Sequence, residues 1–190
     1  VKSDAETERN IKLYILEYIE QSKGQDFVYN NLKNEIDTAL LKLYAEENSR
    51  ILEDLICSNN ACVYQDTVDW LRKHKRYHSL ALFYKARNEP EKALDTWKRL
   101  VDKDLEDLNF TGIEHIIKCL TSIDNDELIW RYVPWIMKKD QALAVRIFSE
   151  SSLEEEKEKL QPDYILEYFS QFTIALQKYL EYLVFQKKLE

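Results

Sequence analysis

Four residues have the types and spacing to hold a metal. Cys57, Cys62, His74 and His78 form a C-x4-C-x11-H-x3-H pattern. It nearly fits the ligand spacing of a tetrahedral zinc site with two thiolates and two imidazoles. His74 and His78 also stand one helical turn apart, as two rings aimed at one ion would. Three features oppose that chemistry. Cys57 closes an apolar stripe, Leu55-Ile56-Cys57, where a small thiol packs as a hydrophobe. The stretch between the cysteines lacks a knuckle glycine, and Ala61-Cys62-Val63 has the character of packing. A helix break near Arg76 would separate the two histidines. The expectation is therefore no zinc, with Cys57 buried among apolar neighbours and the histidines on the surface.

Arg72-Lys73-His74-Lys75-Arg76 is the one dense basic cluster. Its chemistry suits an acidic protein partner, a phosphoinositide headgroup or nucleic acid. A net charge of −8 argues against nucleic acid. The plainer alternative is a solvated helix end, where cations offset the helix dipole. If the cluster binds a partner, Arg72, Lys73, Lys75 and Arg76 are the partner-binding residues. Trp130 and Trp135 are further candidates for an exposed partner site, because Pro134 lies between them and they do not share a face.

Catalysis finds no support. The chain has no glycine-rich phosphate loop, no nucleophile elbow and no H-E-x-x-H. Asp124-Asn125-Asp126-Glu127 sits where a helix should start, so capping accounts for it. The glycine and terminal glutamate of a calcium loop are missing there. The sequence thus reads as a protein without enzymatic activity, metal or cofactor.

The elements that position these residues are helices. Only 2 glycines and 3 prolines occur in 190 residues, too few for the turns of a β-rich fold. The charged residues, 33% of the chain, alternate with apolar ones at helical spacing. Tyr77 to Leu100 is the organising stretch. Leu80, Leu82, Phe83 and Tyr84 make one apolar stripe, Pro90 interrupts it at a first helical position, and Ala93, Leu94, Trp97 and Leu100 resume it. This is an αα-hairpin with Trp97 in its core. Upstream, the pattern predicts a helix over 7–22, a loop over 25–34, a helix over 35–46, one over 49–57 capped by Asn48, and one starting at Asp66. Downstream come an acidic connection over 102–107, a cap at Thr111, a cap at Asp124 or Asn125, a kink or split at Pro134, and helix starts at Asp140 and Pro162. Residues 151–161 form an exposed charged link.

The count is about eleven helices of ~9–16 residues, more and shorter than a four-helix bundle uses. The expected fold is all-α: an α-solenoid of stacked antiparallel helix pairs, with 1–190 as one segment. Three cysteines, an odd and scattered set, favour free thiols in a reducing compartment. No apolar run reaches the ~20 residues of a membrane span, and no signal peptide opens the chain. The missing initiator methionine, and a periodic stretch running almost to Glu190, suggest a piece cut from a longer protein.

Several stretches carry a family resemblance. They are Ile36-Asp37-Thr38-Ala39-Leu40-Leu41-Lys42-Leu43-Tyr44-Ala45-Glu46, Trp70-Leu71-Arg72-Lys73-His74-Lys75-Arg76-Tyr77, Ala81-Leu82-Phe83-Tyr84 and Ala93-Leu94-Asp95-Thr96-Trp97. Asp126 to Trp130, Ala144 to Phe148 and Tyr179 to Val184 follow in order. From Ile36 to Glu190 the chain resembles the transforming-growth-factor-β receptor-associated protein family, subunits of the CORVET endosomal tether related to the matching HOPS subunit. The resemblance implies a longer protein, with an N-terminal citron-homology β-propeller followed by a clathrin-heavy-chain-type α-solenoid to which this chain belongs. It implies a non-enzymatic scaffold and docking segment acting in vesicle fusion and endosome-to-lysosome trafficking. The implied partners are other tethering subunits and an early-endosomal Rab GTPase. The implied location is cytoplasmic, peripheral and indirect on early endosomes. The alternative it carries is an adaptor that binds TGF-β receptors and Smad proteins in signalling.

Overall fold

The computed structural model describes residues 26–47, 50–151 and 160–185, with the single positions Asn10, Tyr14, Glu17, Tyr18 and Gln21. Among the described residues there are ten α-helices and no strand. They fall into two compact units, Val1–Phe110 and Thr111–Glu190. The helix expected over 7–22 lies largely outside the described residues, as do 152–159 of the charged link. Among the described residues, no helix is long and apolar enough to cross a membrane.

The first unit holds α1 (Asp26–Glu47), α2 (Ile51–Cys57), α3 (Tyr64–Lys73), α4 (Tyr77–Ala86) and α5 (Pro90–Val101). Its core includes Leu40, Leu41, Ile56, Leu71, Phe83, Leu94 and Trp97, all buried. The α4–α5 hairpin forms as its sequence predicts. Pro90 occupies the first turn of α5, where its missing N–H costs no helical bond. Ala81 and Ala93 are wholly buried, and Trp97 is only 1% exposed.

α3, α4 and α5 end in the same way. Past each helix one residue takes positive φ: Lys75 (55°), Asn88 (60°) and Lys103 (65°). The N–H that follows it reaches back to a carbonyl of the last turn: Arg76 to Leu71 at 2.9 Å, Glu89 to Tyr84 at 2.9 Å, Asp104 to Arg99 at 2.9 Å. This is the Schellman cap, whose left-handed position usually carries glycine. The chain builds all three caps without one.

Several helix starts differ from expectation: α2 starts at Ile51 rather than 49, with Arg50 before it, and the expected cap Asn48 lies outside the described residues. The supposed loop over 25–34 is helical from Asp26, with non-helical φ/ψ only at Leu32 (−120°, 21°). Asn30-Asn31 suggests a loop by propensity, but propensity is a weak prior and here marks only a local break. α3 begins at Tyr64 rather than Asp66, so Asp66 lies in the first turn and pairs with Lys42 of α1 at 2.6 Å.

The second unit holds α6 (Glu114–Leu120), α7 (Asp126–Lys139), α8 (Gln141–Ser149), α9 (Pro162–Phe169) and α10 (Thr173–Phe185). Its caps are local and legible. Asn125 Oδ1 accepts from the Leu128 N–H at 2.9 Å. Asp140 Oδ1 accepts from Ala142 and Leu143 at 2.7 and 3.3 Å. Pro162 starts α9. Thr111 is not the cap of α6: Gly112 turns the chain at φ 119°, and the helix starts at Glu114 after Ile113. Pro134 does not split α7, which continues to Lys139. Pro134 is on the exposed side of the helix. Arg146 joins α6 to α8, 2.7 Å from Glu114 and 2.6 Å from Glu150. Its guanidinium holds the Glu114 carboxyl below the usual carboxylate range.

Candidate protein-docking site

The basic cluster occupies the corner between α3 and α4. Leu71 is buried at the end of α3, so Arg72 and Lys73 emerge on the outer side. The Schellman cap then reverses the chain, with Lys75 at the left-handed position and Arg76 entering α4. Arg72, Lys73 and Lys75 are exposed and Arg76 is half-buried. The corner therefore does bring the four cations together, but they are not equivalent. Arg72 Nη2 donates to the Tyr84 hydroxyl at 3.0 Å and so braces α3 against α4. Lys73 Nζ lies 5.9 Å from the centre of the Trp70 ring, and Lys42 Nζ 5.1 Å from it. The Trp70 and His74 rings lie against each other, with centroids 4.3 Å apart. The result is a half-exposed aromatic pair with two ammonium groups near the Trp70 ring, of which Lys42 is already paired with Asp66 at 2.6 Å.

The other end of α3 is closed off. Tyr64 donates to Glu89, and Lys92 donates both to the Tyr64 hydroxyl at 3.0 Å and to Glu89 at 2.7 Å. Hydrogen bonds from Lys92, then Tyr64, hold the Glu89 carboxyl low. Lys92 is thereby neutralised by a structural contact between α3 and the start of α5.

The four metal-type residues have different fates. Among the described residues, no group of three or more His, Cys, Asp or Glu is gathered for an ion. The segment between the cysteines is shaped by hydrogen bonds instead. Asn60 donates to the carbonyls of Leu55, Ile56 and Ser58 and accepts from Cys62 N–H and Arg87. Asp37 and Thr38 of α1 accept from Ala61 and Val63 N–H, both at 2.9 Å. Burial was misassigned from sequence in two places. Cys57 is exposed, because the buried stripe of α2 is Leu52, Leu55 and Ile56 and the next position turns outward. His78 is 2% exposed, because it lies one turn before Ala81 on the inner face of α4. That i, i+3 relation was visible in the sequence; the polarity of the imidazole obscured it. Cys62 is the buried thiol of the pair.

Trp130 and Trp135 part company. Trp130 is half-buried against Phe148, Tyr164 and Tyr168, with centroids 5.2, 5.3 and 5.0 Å away. Trp135 is half-buried elsewhere on α7, with Lys139 Nζ 5.7 Å from its ring centre.

Residues 36–137, which include the whole α3–α4 corner, match the family Vacuolar sorting protein 39 domain 1. The entire chain is 35% identical to Transforming growth factor-beta receptor-associated protein 1 of Homo sapiens and 35% identical to its homolog in Danio rerio, covering 22% of each. It is 30% identical to the Vacuolar protein sorting-associated protein 39 homolog of Caenorhabditis elegans over 156 residues, 80% of this chain and 17% of that one. The chain thus spans about a fifth of the length of the curated relatives it matches. No solved structure matches it.

Proposed function

We propose a docking role from one fact: this chain belongs to the Vacuolar sorting protein 39 domain 1 family. In this reading it is a non-enzymatic scaffold segment of a CORVET-type, HOPS-related tethering subunit that acts in vesicle fusion and endosome-to-lysosome trafficking. Its helices stack as antiparallel pairs of a clathrin-heavy-chain-repeat-like α-solenoid. The whole of 1–190 is one segment of that array, with the charged stretch 151–161 as a link within it. Support for the stacking comes from the α4–α5 hairpin and from the identical caps that end α3, α4 and α5, since a repeated turn geometry advances successive helices by similar steps.

The observation that carries the docking role is that the family match encloses a corner where Lys73 and Lys75 are exposed beside a buried Leu71 and a Schellman cap. The partners are other subunits of the tether, met through acidic surfaces. Association with early endosomes is cytoplasmic, peripheral and indirect, through those subunits and a Rab GTPase. A second reading, an adaptor for TGF-β receptors and Smad proteins, is favoured by the name the 35%-identical relatives carry.

The test uses the full-length protein purified from cells with its bound partners. Lys73→Glu with Lys75→Glu is the sharper variant, because Arg72 braces Tyr84 and its reversal would disturb the corner. Co-purifying tether subunits should drop, mainly through slower association, with the helical circular dichroism unchanged. If the doubly reversed protein assembles normally, the corner is only a solvated helix end. If deletion of residues 36–137 also leaves assembly intact, this segment does not dock the tether. Loss of receptor or Smad partners alone would favour the adaptor.

A further inference from the structure

A second surface, in the other unit, has the opposite charge. Tyr164 and Tyr168 stand one turn apart on α9, and both rings meet the Trp130 indole edge-on, at 75° and 76°. Beside them is an open cleft of about 440 Å³ lined by Tyr164, Glu167, Tyr168, Ser170 and Gln171. Tyr164 is 42% exposed, so an incoming group can reach its face. Glu167 is exposed, and among the described residues no cation pairs with it. The Ser170 hydroxyl donates to the Glu167 carbonyl at 2.7 Å, which leaves its oxygen lone pairs as acceptors.

We propose that this cleft binds the side chain of an arginine in a basic segment of a partner protein. The one charged group of the cleft is the Glu167 carboxylate, and the Ser170 hydroxyl, the Gln171 amide oxygen and the two tyrosine hydroxyls can also accept hydrogen bonds. The apolar lining comes from the Tyr164 and Tyr168 rings, whose faces attract a cation through the ring quadrupole. A guanidinium suits both features, since its flat surface stacks on a tyrosine while its N–H fork reaches a carboxylate. Trp130 acts from behind: its edge-on contacts fix the two tyrosine rings, so little order is lost when the cleft fills.

The probe is a fluorescein-labelled Gly-Arg-Gly-Arg-Gly peptide, compared with its lysine and glutamate counterparts by anisotropy on the whole 190-residue chain. The arginine peptide should bind, the lysine peptide more weakly, and the glutamate peptide not at all. Glu167→Gln and Tyr164→Ala should each weaken arginine-peptide binding by about fivefold or more. Glu106→Gln removes the same charge from an exposed position of the first unit and should leave binding unchanged. Tyr164→Phe, which keeps the ring, should retain binding and guards against a folding defect in the alanine variant. Equal losses in Glu167→Gln and Glu106→Gln, or no binding of the arginine peptide at millimolar protein, would overturn the proposal.

Discussion

The Trp97 indole donates its Nε1–H to Nδ1 of His78 at 3.1 Å, and both side chains are buried. An indole nitrogen is only a donor, so His78 Nδ1 must offer a lone pair and the imidazole is neutral, with its proton on Nε2. Glu53 Oε1 lies 3.8 Å from Nε2, and Asp107 accepts the His78 main-chain N–H at 2.7 Å. Three contacts at His78 thus join α2, α4, α5 and the connection after α5.

This geometry makes stability depend on pH. Burial pushes the His78 pKa below its ordinary 6.5, opposed in part by the negative charge of Asp107. The unfolded chain then binds more protons than the folded one below pH 6.5. His78 imposes no penalty above that value, and stability is lost as pH falls toward the folded-state pKa. Between about pH 7.5 and about pH 5.5 the wild-type chain should lose more stability than His78→Gln, which keeps an acceptor but does not titrate. Urea unfolding at the two pH values measures this. Parallel losses would show that His78 protonates as easily when folded as when unfolded.

Trp97→Ala should destabilise the chain by about 3–5 kcal/mol, through the cavity in the hairpin and the orphaned His78 acceptor. A change below about 1 kcal/mol in urea unfolding would contradict the burial of the ring.

Lys75 and Lys103 hold left-handed conformations that suit glycine. Replacing either by glycine should relieve about 1–2 kcal/mol of backbone strain and lose part of it to unfolded-state entropy, for a net gain of roughly 0.5–1 kcal/mol. Lys75→Ala is the control for charge and should bring no gain. Chemical denaturation of the three variants decides whether the strain is real.

Asp140→Ala removes an acceptor shared by two N–H groups at the start of α8 and should cost about 1 kcal/mol. Asp140→Asn or Asp140→Ser should restore most of it. A thermal melt in which alanine equals asparagine would mean that water caps the helix equally well.

The reading of the sequence succeeded where the cause was local. Pro90 and Pro162 begin helices because a ring-locked φ needs no partner from elsewhere. Asn125 and Asp140 cap because their oxygens reach N–H groups two or three residues on. Asp66 and Thr111 carry the same chemistry but do not cap. Asp66 instead pairs with Lys42, 24 positions away. The basic corner was legible as composition, but not as geometry: nothing near Arg72 in the sequence announces that it will hold Tyr84 while Lys73 lies beside Trp70.

By itself, the sequence determined that the chain is helical, where the helices headed by Tyr77, Pro90, Asn125, Asp140 and Pro162 begin, and that Trp97 is core, because apolar spacing and caps act within a few residues along one helix. Tertiary structure alone decided that Cys57 faces outward while His78 faces Trp97, and that Trp130 of α7 backs the tyrosines of α9. The physical reason is that an inward or outward face, or a shared cleft, exists only once a second element arrives, and which element arrives depends on the packing of the unit rather than on any one stretch of chain.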